Sequence, residues 1–198
     1  MRWGVAEASL PNEPESGDRY VVQPCDDSLL LAVVDGTGHG AEAAAAATTA
    51  AATLKSFAHE SPIALMLRCH EKLKGTRGAV MTLVFVHVSD RTLTWLGVGN
   101  VEAVVCHESG GTIRTIDRVL LRAGVIGYQL PVLRAETLPL RPRDTVILAT
   151  DGVKPGFEEA LDVSGDPQAV AEEILARHGG VGDDALVLVA RYLGAESA

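Results

Sequence analysis

Apolar runs that stop at aspartate constrain this chain more than any other feature of it. Leu29-Leu30-Leu31-Ala32-Val33-Val34 carries no polar side chain and runs straight into Asp35-Gly36-Thr37-Gly38-His39-Gly40. Thr145-Val146-Ile147-Leu148-Ala149-Thr150 runs into Asp151-Gly152, and Asp183-Asp184 stands directly before Ala185-Leu186-Val187-Leu188-Val189-Ala190. Short runs rich in β-branched and aliphatic residues read as buried strands. Each therefore sets a carboxylate at the lip of a rigid element that can aim it. One Asp-Gly after a strand is an ordinary turn. Asp18, at the start of the Tyr20-Val21-Val22 strand, makes a fourth such placement, and four in a chain of 198 residues point to a shared site.

The remaining pattern is mostly strand. Further strands are expected over residues 2–8, 18–24, 79–88, 92–97, 101–107 and 112–116, and the three apolar runs above mark strands over 28–34, 144–149 and 185–192. Pro11-Asn12-Glu13-Pro14, Asp90-Arg91, Gly99-Asn100 and Ser109-Gly110-Gly111 supply turns, the last reading as a hairpin connection. Helical patterns occupy three places. Ala41 to Phe57 is Ala-rich, with high helix propensity. Ser61 to Lys74 opens on an N-cap serine and a first-turn proline, with Ile63, Leu67 and His70 along one face. Asp166 to His178 opens on Asp-Pro, turns Val170, Ile174 and Leu175 inward, and stops at Gly179-Gly180. The order β-rich, helix pair, β-rich, helix, β is that of an α+β fold with largely antiparallel sheets, not of alternating βαβ units. Residues 1–198 are expected to form a single domain, since no linker divides them.

Charge and cysteine usage narrow the class. With 26 acidic and 17 basic residues the net charge is −9, which argues against a nucleic-acid partner, because phosphate backbones select for clustered Lys and Arg. The same excess predicts that recognition of a partner does not depend on acidic segments. Cys25, Cys69 and Cys106 are odd in number and never in C-x-x-C spacing, so they fit a reduced cytosolic protein and give no zinc signature. The N-terminus lacks the apolar run of a signal peptide, and no stretch reaches the roughly 20 apolar residues of a membrane span. The expectation is a soluble, cytoplasmic protein. No P-loop, dinucleotide fingerprint or G-x-S-x-G elbow is present.

Carboxylates gathered at one point repel one another unless hard divalent cations neutralise them. Mg²⁺ and Mn²⁺ prefer oxygen ligands and keep several waters, so a pair of ions bridged by one aspartate can be held by three or four carboxylates. The glycines after Asp35 let the backbone approach a metal or phosphate, and the Gly36 carbonyl is a further oxygen donor.

At these residues the chain resembles a known family. Gly17-Asp18-Arg19-Tyr20, Val34-Asp35-Gly36-Thr37-Gly38-His39-Gly40, Ala149-Thr150-Asp151-Gly152-Val153 and Gly182-Asp183-Asp184-Ala185 are similar to the metal motifs of the metal-dependent serine/threonine protein phosphatases, closest to the SpoIIE branch of the type-2C group. Thr76-Arg77-Gly78-Ala79, Gly97-Val98-Gly99-Asn100 and Gly124-Val125-Ile126-Gly127 fit in the same order along nearly the whole chain. The resemblance implies a sandwich of two β-sheets flanked by helices, with two Mn²⁺ or Mg²⁺ ions between the sheets activating water. It further implies that Asp35 bridges both ions, Gly36 donates its carbonyl, Asp151 and Asp183 bind one ion, and Asp18 acts through water or as an outer ligand. Asp184 is the second choice for the Asp183 role. Within the family, a free-standing domain of this length is most similar to the phosphatases that reset the stressosome. The implied partners are phosphorylated stressosome scaffold or STAS-domain anti-sigma-antagonist proteins.

Two departures matter. No Arg or Lys precedes Asp18 as a phosphate clamp, so phosphate binding falls to the metals, or to Arg19 or Arg77 if they reach. The histidine expected two residues after the bridging aspartate is replaced by Thr37; His39, two further on, is either a catalytic acid or a pin for the loop before the Ala-rich helix. His59, His70, His87, His107 and His178 show no ligand spacing and read as surface or helix-end residues, and Glu158-Glu159 reads as a solvated face. A catalytically silent binding module and a hydrolase of small phosphate esters are the competing functions.

Overall fold

Every apolar run forms a strand, and the strands sort into two sheets that enclose a core between them. The structure is a computed structural model that describes residues 1–11, 13, 15–109, 112–159 and 161–194. In chain order the elements are β1 (Arg2–Ala8), β2 (Asp18–Cys25), β3 (Ser28–Gly36), α1 (Ala41–Ser56), α2 (Pro62–Leu73), β4 (Ala79–His87), β5 (Thr92–Val98), β6 (Glu102–Ser109), β7 (Thr112–Arg118), β8 (Leu121–Arg122), β9 (Glu136–Pro139), β10 (Thr145–Ala149), α3 (Pro167–His178) and β11 (Ala185–Arg191). One sheet has the order β1-β11-β10-β6-β7, the other β2-β3-β4-β5-β8, with β9 also on the edge of β5. All pairings between strands are antiparallel except β5 with β8.

The layers are helix, sheet, sheet, helix, each interface held by its own apolar cluster. Leu31, Val33, Val84, Trp95, Val146, Leu148, Leu186 and Leu188 fill the space between the sheets. Alternate residues of β3 and β4 turn outward to meet α1 and α2, and alternate residues of β10 and β11 turn outward to meet α3. That is why these strands are apolar throughout: both faces are covered, and apolar burial at about 25 cal/mol per Å² rewards every position. The alanines of α1 allow close approach to the sheet, with Ala43, Ala47 and Ala50 wholly buried. A Cβ at Gly36 would run into the Ala43 carbonyl oxygen, so the strand end next to Asp35 must be glycine.

The helix caps follow the sequence. Ser61 Oγ accepts from the Ala64 amide, Asp166 Oδ1 accepts from the Gln168 amide, and a proline follows each cap. The inward face of α2 does not follow the expected stripe. Leu65, Met66, Cys69 and Leu73 are buried, while Ile63 and Leu67 are 38% and 48% exposed. Two short strands, β8 and β9, lie in a segment with no strand pattern, because they exist only through pairing with β5. Glu158 is buried and ion-paired with Arg118 rather than solvated. His107 is also no surface residue: its Nδ1 faces Asp144 at 2.9 Å and its Nε2 faces Asp117 at 2.8 Å. Of the expected turns, Asn12, Pro14, Gly110 and Gly111 lie outside the described residues. The cysteines are free, and burial pushes the Cys69 and Cys106 thiols up to about 12. No helix among the described residues is long and apolar enough to cross a membrane.

Candidate metal centre

The site forms where both sheets end on the same side. β2 begins at Asp18 and β3 runs through Asp35, and antiparallel pairing places the two directly opposite one another. Their strands are hydrogen-bonded neighbours, so the placement is set by the register and not by a loop. From the facing sheet, β10 ends at Ala149 and delivers Thr150 and Asp151, while β11 starts just after Asp183 and Asp184. The five aspartates marked by their four places at strand ends therefore come from four strands and one end of the sandwich.

Thr150 ties the two sheets together. Its hydroxyl donates to Asp18 Oδ2 at 2.8 Å and accepts from the Leu186 amide at 2.9 Å, while the Thr150 amide donates to the Leu186 carbonyl. Nothing in the sequence around Thr150 marks this link; its only signal is its place directly before Asp151. Asp151 Oδ2 accepts from Asn100 Nδ2 at 2.6 Å, so the turn after β5 orients it. Asp183 is exposed, and its Oδ1 accepts from the Asp184 amide.

Asp184 faces the other way from a solvent-accessible ligand. It is 4% exposed, its Oδ1 accepts from the Leu10 amide at 2.7 Å, and its Oδ2 accepts from the Gly17 amide at 2.6 Å. Both oxygens thus fasten the segment that leads into Asp18. The Gly17 carbonyl in turn accepts from the Gly36 amide, which links that segment to the strand carrying Asp35. A Cβ at Gly152 would run into the Asp184 carbonyl oxygen, so the Asp-Gly pair after β10 is required by packing as well as by the turn.

The electrostatics are those of an uncompensated anionic cluster. Burial, then the charges of Asp184, Asp151 and Asp183, push the Asp18 carboxyl up to about 7, against the opposing hydrogen bond from Thr150. Burial, then Asp18, Asp151, Asp183 and Asp184, push Asp35 up to about 8. Asp151 is raised by burial and by Asp183. Among the described residues no Lys or Arg forms an ion pair with any of the five aspartates. Arg19 Nη1 donates to the Ser16 and Asp18 carbonyl oxygens, and Arg77 Nε pairs with Glu42 at 2.5 Å. His39 Nδ1 meets Glu13 Oε1 at 2.8 Å on the surface, which pins the loop ahead of α1.

Among the described residues, no three carboxylate, imidazole or thiol groups converge into a closed cage for one ion. An all-oxygen donor set with this much mutual repulsion nonetheless fits a hard divalent cation that keeps much of its water. A cavity of about 520 Å³ opens beside Asp18, lined also by Trp3, Glu7, Arg19, Tyr20 and Lys55. Trp3 and Tyr20 lie with ring centroids 6.0 Å apart at its wall.

Comparison with known proteins gives consistent results. The family model for stage II sporulation protein E (SpoIIE) matches residues 25–193. The phosphoserine phosphatase RsbX of Bacillus subtilis (strain 168) is 29% identical over 94 residues, covering 48% of this chain and 47% of that protein. The match thus spans about half the length of this curated relative. Among solved structures, a chain from work on the bacterial stressosome as a modular system adapted to control secondary messenger signalling superposes with a TM-score of 0.85 at 28% identity, covering 96% of this chain and 98% of that one. RsbX in complex with magnesium superposes with a TM-score of 0.82 at 21% identity, covering 93% and 92%.

Proposed function

Because the chain belongs to the SpoIIE family, we propose that it is a metal-dependent phosphoprotein phosphatase acting on phosphoserine or phosphothreonine. The observation that carries the reading is the Asp18–Asp35 pair, two carboxylates in register at the mouth of the sandwich, neither of them ion-paired with a Lys or Arg among the described residues. Asp35, the Gly36 carbonyl, Asp151 and Asp183 would hold two Mn²⁺ or Mg²⁺ ions, with Asp18 as an outer ligand. Bound there, such ions supply Lewis-acid activation of water and neutralise charge on the phosphoryl group.

The chain's own groups prepare that site. Thr150 holds Asp18 in one orientation, Asn100 does the same for Asp151, and Asp184 fixes the backbone that brings Asp18 to Asp35. We further infer that His39, held at Nδ1 by Glu13, protonates the leaving serine or threonine oxygen through Nε2.

The substrates we infer are phosphorylated regulatory proteins of the cytoplasm, namely a stressosome scaffold or a STAS-domain protein. The names of the curated relative and of the stressosome structure support this class. The test measures phosphate release with Mn²⁺ or Mg²⁺ from an aryl phosphate and from phosphorylated STAS-domain proteins. Turnover should vanish in excess EDTA, and kcat/KM on the phosphoprotein should exceed that on the aryl ester by about a hundredfold, since only a protein adds contact area beyond the phosphate. Undiminished turnover in EDTA refutes metal dependence, and equal efficiencies identify a hydrolase of small esters.

A further inference from the structure

The net charge of −9 conceals a local reversal. Between Thr112 and Arg143 stand six arginines, Arg114, Arg118, Arg122, Arg134, Arg141 and Arg143, against only Asp117 and Glu136. Glu158 neutralises Arg118 and Glu108 neutralises Arg143. Arg122 and Arg134 have no carboxylate partner among the described residues.

These two arginines face a built feature. β8 and β9 lie end to end along the outer edge of β5, one pairing with Gly97 and Val98, the other with Thr92 to Trp95. In the gap between them is a notch of about 290 Å³, lined by Trp95, Val119, Leu120, Arg122, Arg134 and Glu136. Leu120 is 66% exposed, and the indole N–H of Trp95 donates to Glu136 Oε2 at 3.4 Å, so the single lining carboxylate is already engaged. The Arg122 wall also touches the metal centre's own scaffold. The Arg122 carbonyl accepts from the Gly99 amide at 2.9 Å, and the next residue, Asn100, donates to Asp151.

We propose that this notch docks an acidic segment of a protein partner, with Arg122 and Arg134 gripping its carboxylates and Leu120 packing against its apolar side chains. Guanidinium groups beside an apolar floor suit planar carboxylates, and arginine with exposed apolar residues is the composition of interface contact centres. On the phosphatase reading, on which this assignment of the partner rests, the segment belongs to the phosphoprotein substrate. The local charge reverses the expectation drawn from net charge, because recognition senses the field within a Debye length of about 8 Å and not the sum over the molecule.

The test has a binding arm and a turnover arm. A fluorescein-labelled serine peptide flanked by glutamates, and its glutamine counterpart, are titrated with the metal-free full chain and followed by anisotropy. The glutamate peptide should bind at least about tenfold tighter, and R122Q/R134Q should lose that preference. Arg114→Gln, on β7 of the other sheet and outside the notch, should keep it. With the same peptides phosphorylated and Mn²⁺ added, the glutamate peptide should be favoured in kcat/KM by about tenfold in the native chain and by less than about twofold in R122Q/R134Q, while turnover of para-nitrophenyl phosphate is equal in both. Equal binding of the two peptides, a preference that survives in R122Q/R134Q, or an equal loss in Arg114→Gln overturns the docking site. A preference in anisotropy without hydrolysis of any phosphorylated probe retires the phosphatase reading and leaves the docking site standing.

Discussion

Asp183 and Asp184 are adjacent and chemically identical, and the structure gives them opposite work, which a single pair of substitutions can expose. Asp184→Ala removes the acceptor of two amides, the buried one of Gly17 and the part-buried one of Leu10. Each buried donor left unpaired costs about 1–3 kcal/mol. Relief of repulsion on Asp18 and Asp35, both of which feel the Asp184 charge, returns part of this. A net loss of about 3 kcal/mol follows, and in a chain of 150–250 residues that lowers Tm by roughly 6–12 °C. Asp184→Asn keeps one acceptor oxygen and turns an NH₂ toward the other amide, so about half the loss remains. Asp183→Asn changes an exposed side chain and retains an acceptor for the Asp184 amide, so its stability should shift by less than about 0.5 kcal/mol while turnover falls. The assay is thermal melting of the three variants in EDTA, paired with Mn²⁺-dependent phosphate release. An unchanged Tm for Asp184→Ala, or an Asp183→Asn variant that melts lower than it, would refute the division of roles.

Three further outcomes follow from the same geometry. Asp35→Asn should cut turnover by at least about a hundredfold while the metal-free fold keeps or gains stability, because it replaces a carboxyl whose ionised form the site disfavours; phosphate release and melting in EDTA check both halves. The metal-free chain should lose stability as pH rises from about 4 to about 8. Asp18 and Asp35 in the folded state hold protons, at about 7 and about 8, that the unfolded chain releases near the ordinary 3.8, so the folded state binds more protons across that window. Melting at pH 5.5, 7 and 8.5 in EDTA should show Tm falling, and Mn²⁺ should flatten the slope by displacing the protons. Gly152→Ala should unsettle the centre without touching a carboxylate, since the added methyl meets the Asp184 carbonyl; a variant with native Tm and native activity would contradict the packing.

The strands, their apolar faces and the gathering of aspartates at strand ends were determined by the sequence alone, because each depends on residues within one short segment. Leu29 to Val34 is apolar at every position, and no partner is needed to see that it must be covered on both faces or that Asp35 ends the burial. The helix starts at Ser61-Pro62 and Asp166-Pro167 are equally local, since a cap serves amides two or three residues on. What only the tertiary structure decided lies in contacts that join distant parts of the chain. Asp184 and the Gly17 amide are 167 residues apart, and Thr150 and Asp18 are 132 apart, so nothing in either neighbourhood separates Asp184 from Asp183 or marks Thr150 as the link between the sheets. The same holds for Glu158, whose burial depends on Arg118 of β7, and for His107, enclosed by carboxylates from β7 and the start of β10. Strands β8 and β9 had no pattern of their own to read, because two and four residues are held only by the edge of β5. A local pattern states which side chains must leave water; which distant group meets each polar atom afterwards is set by sheet order and register, and those arise only when the sandwich closes.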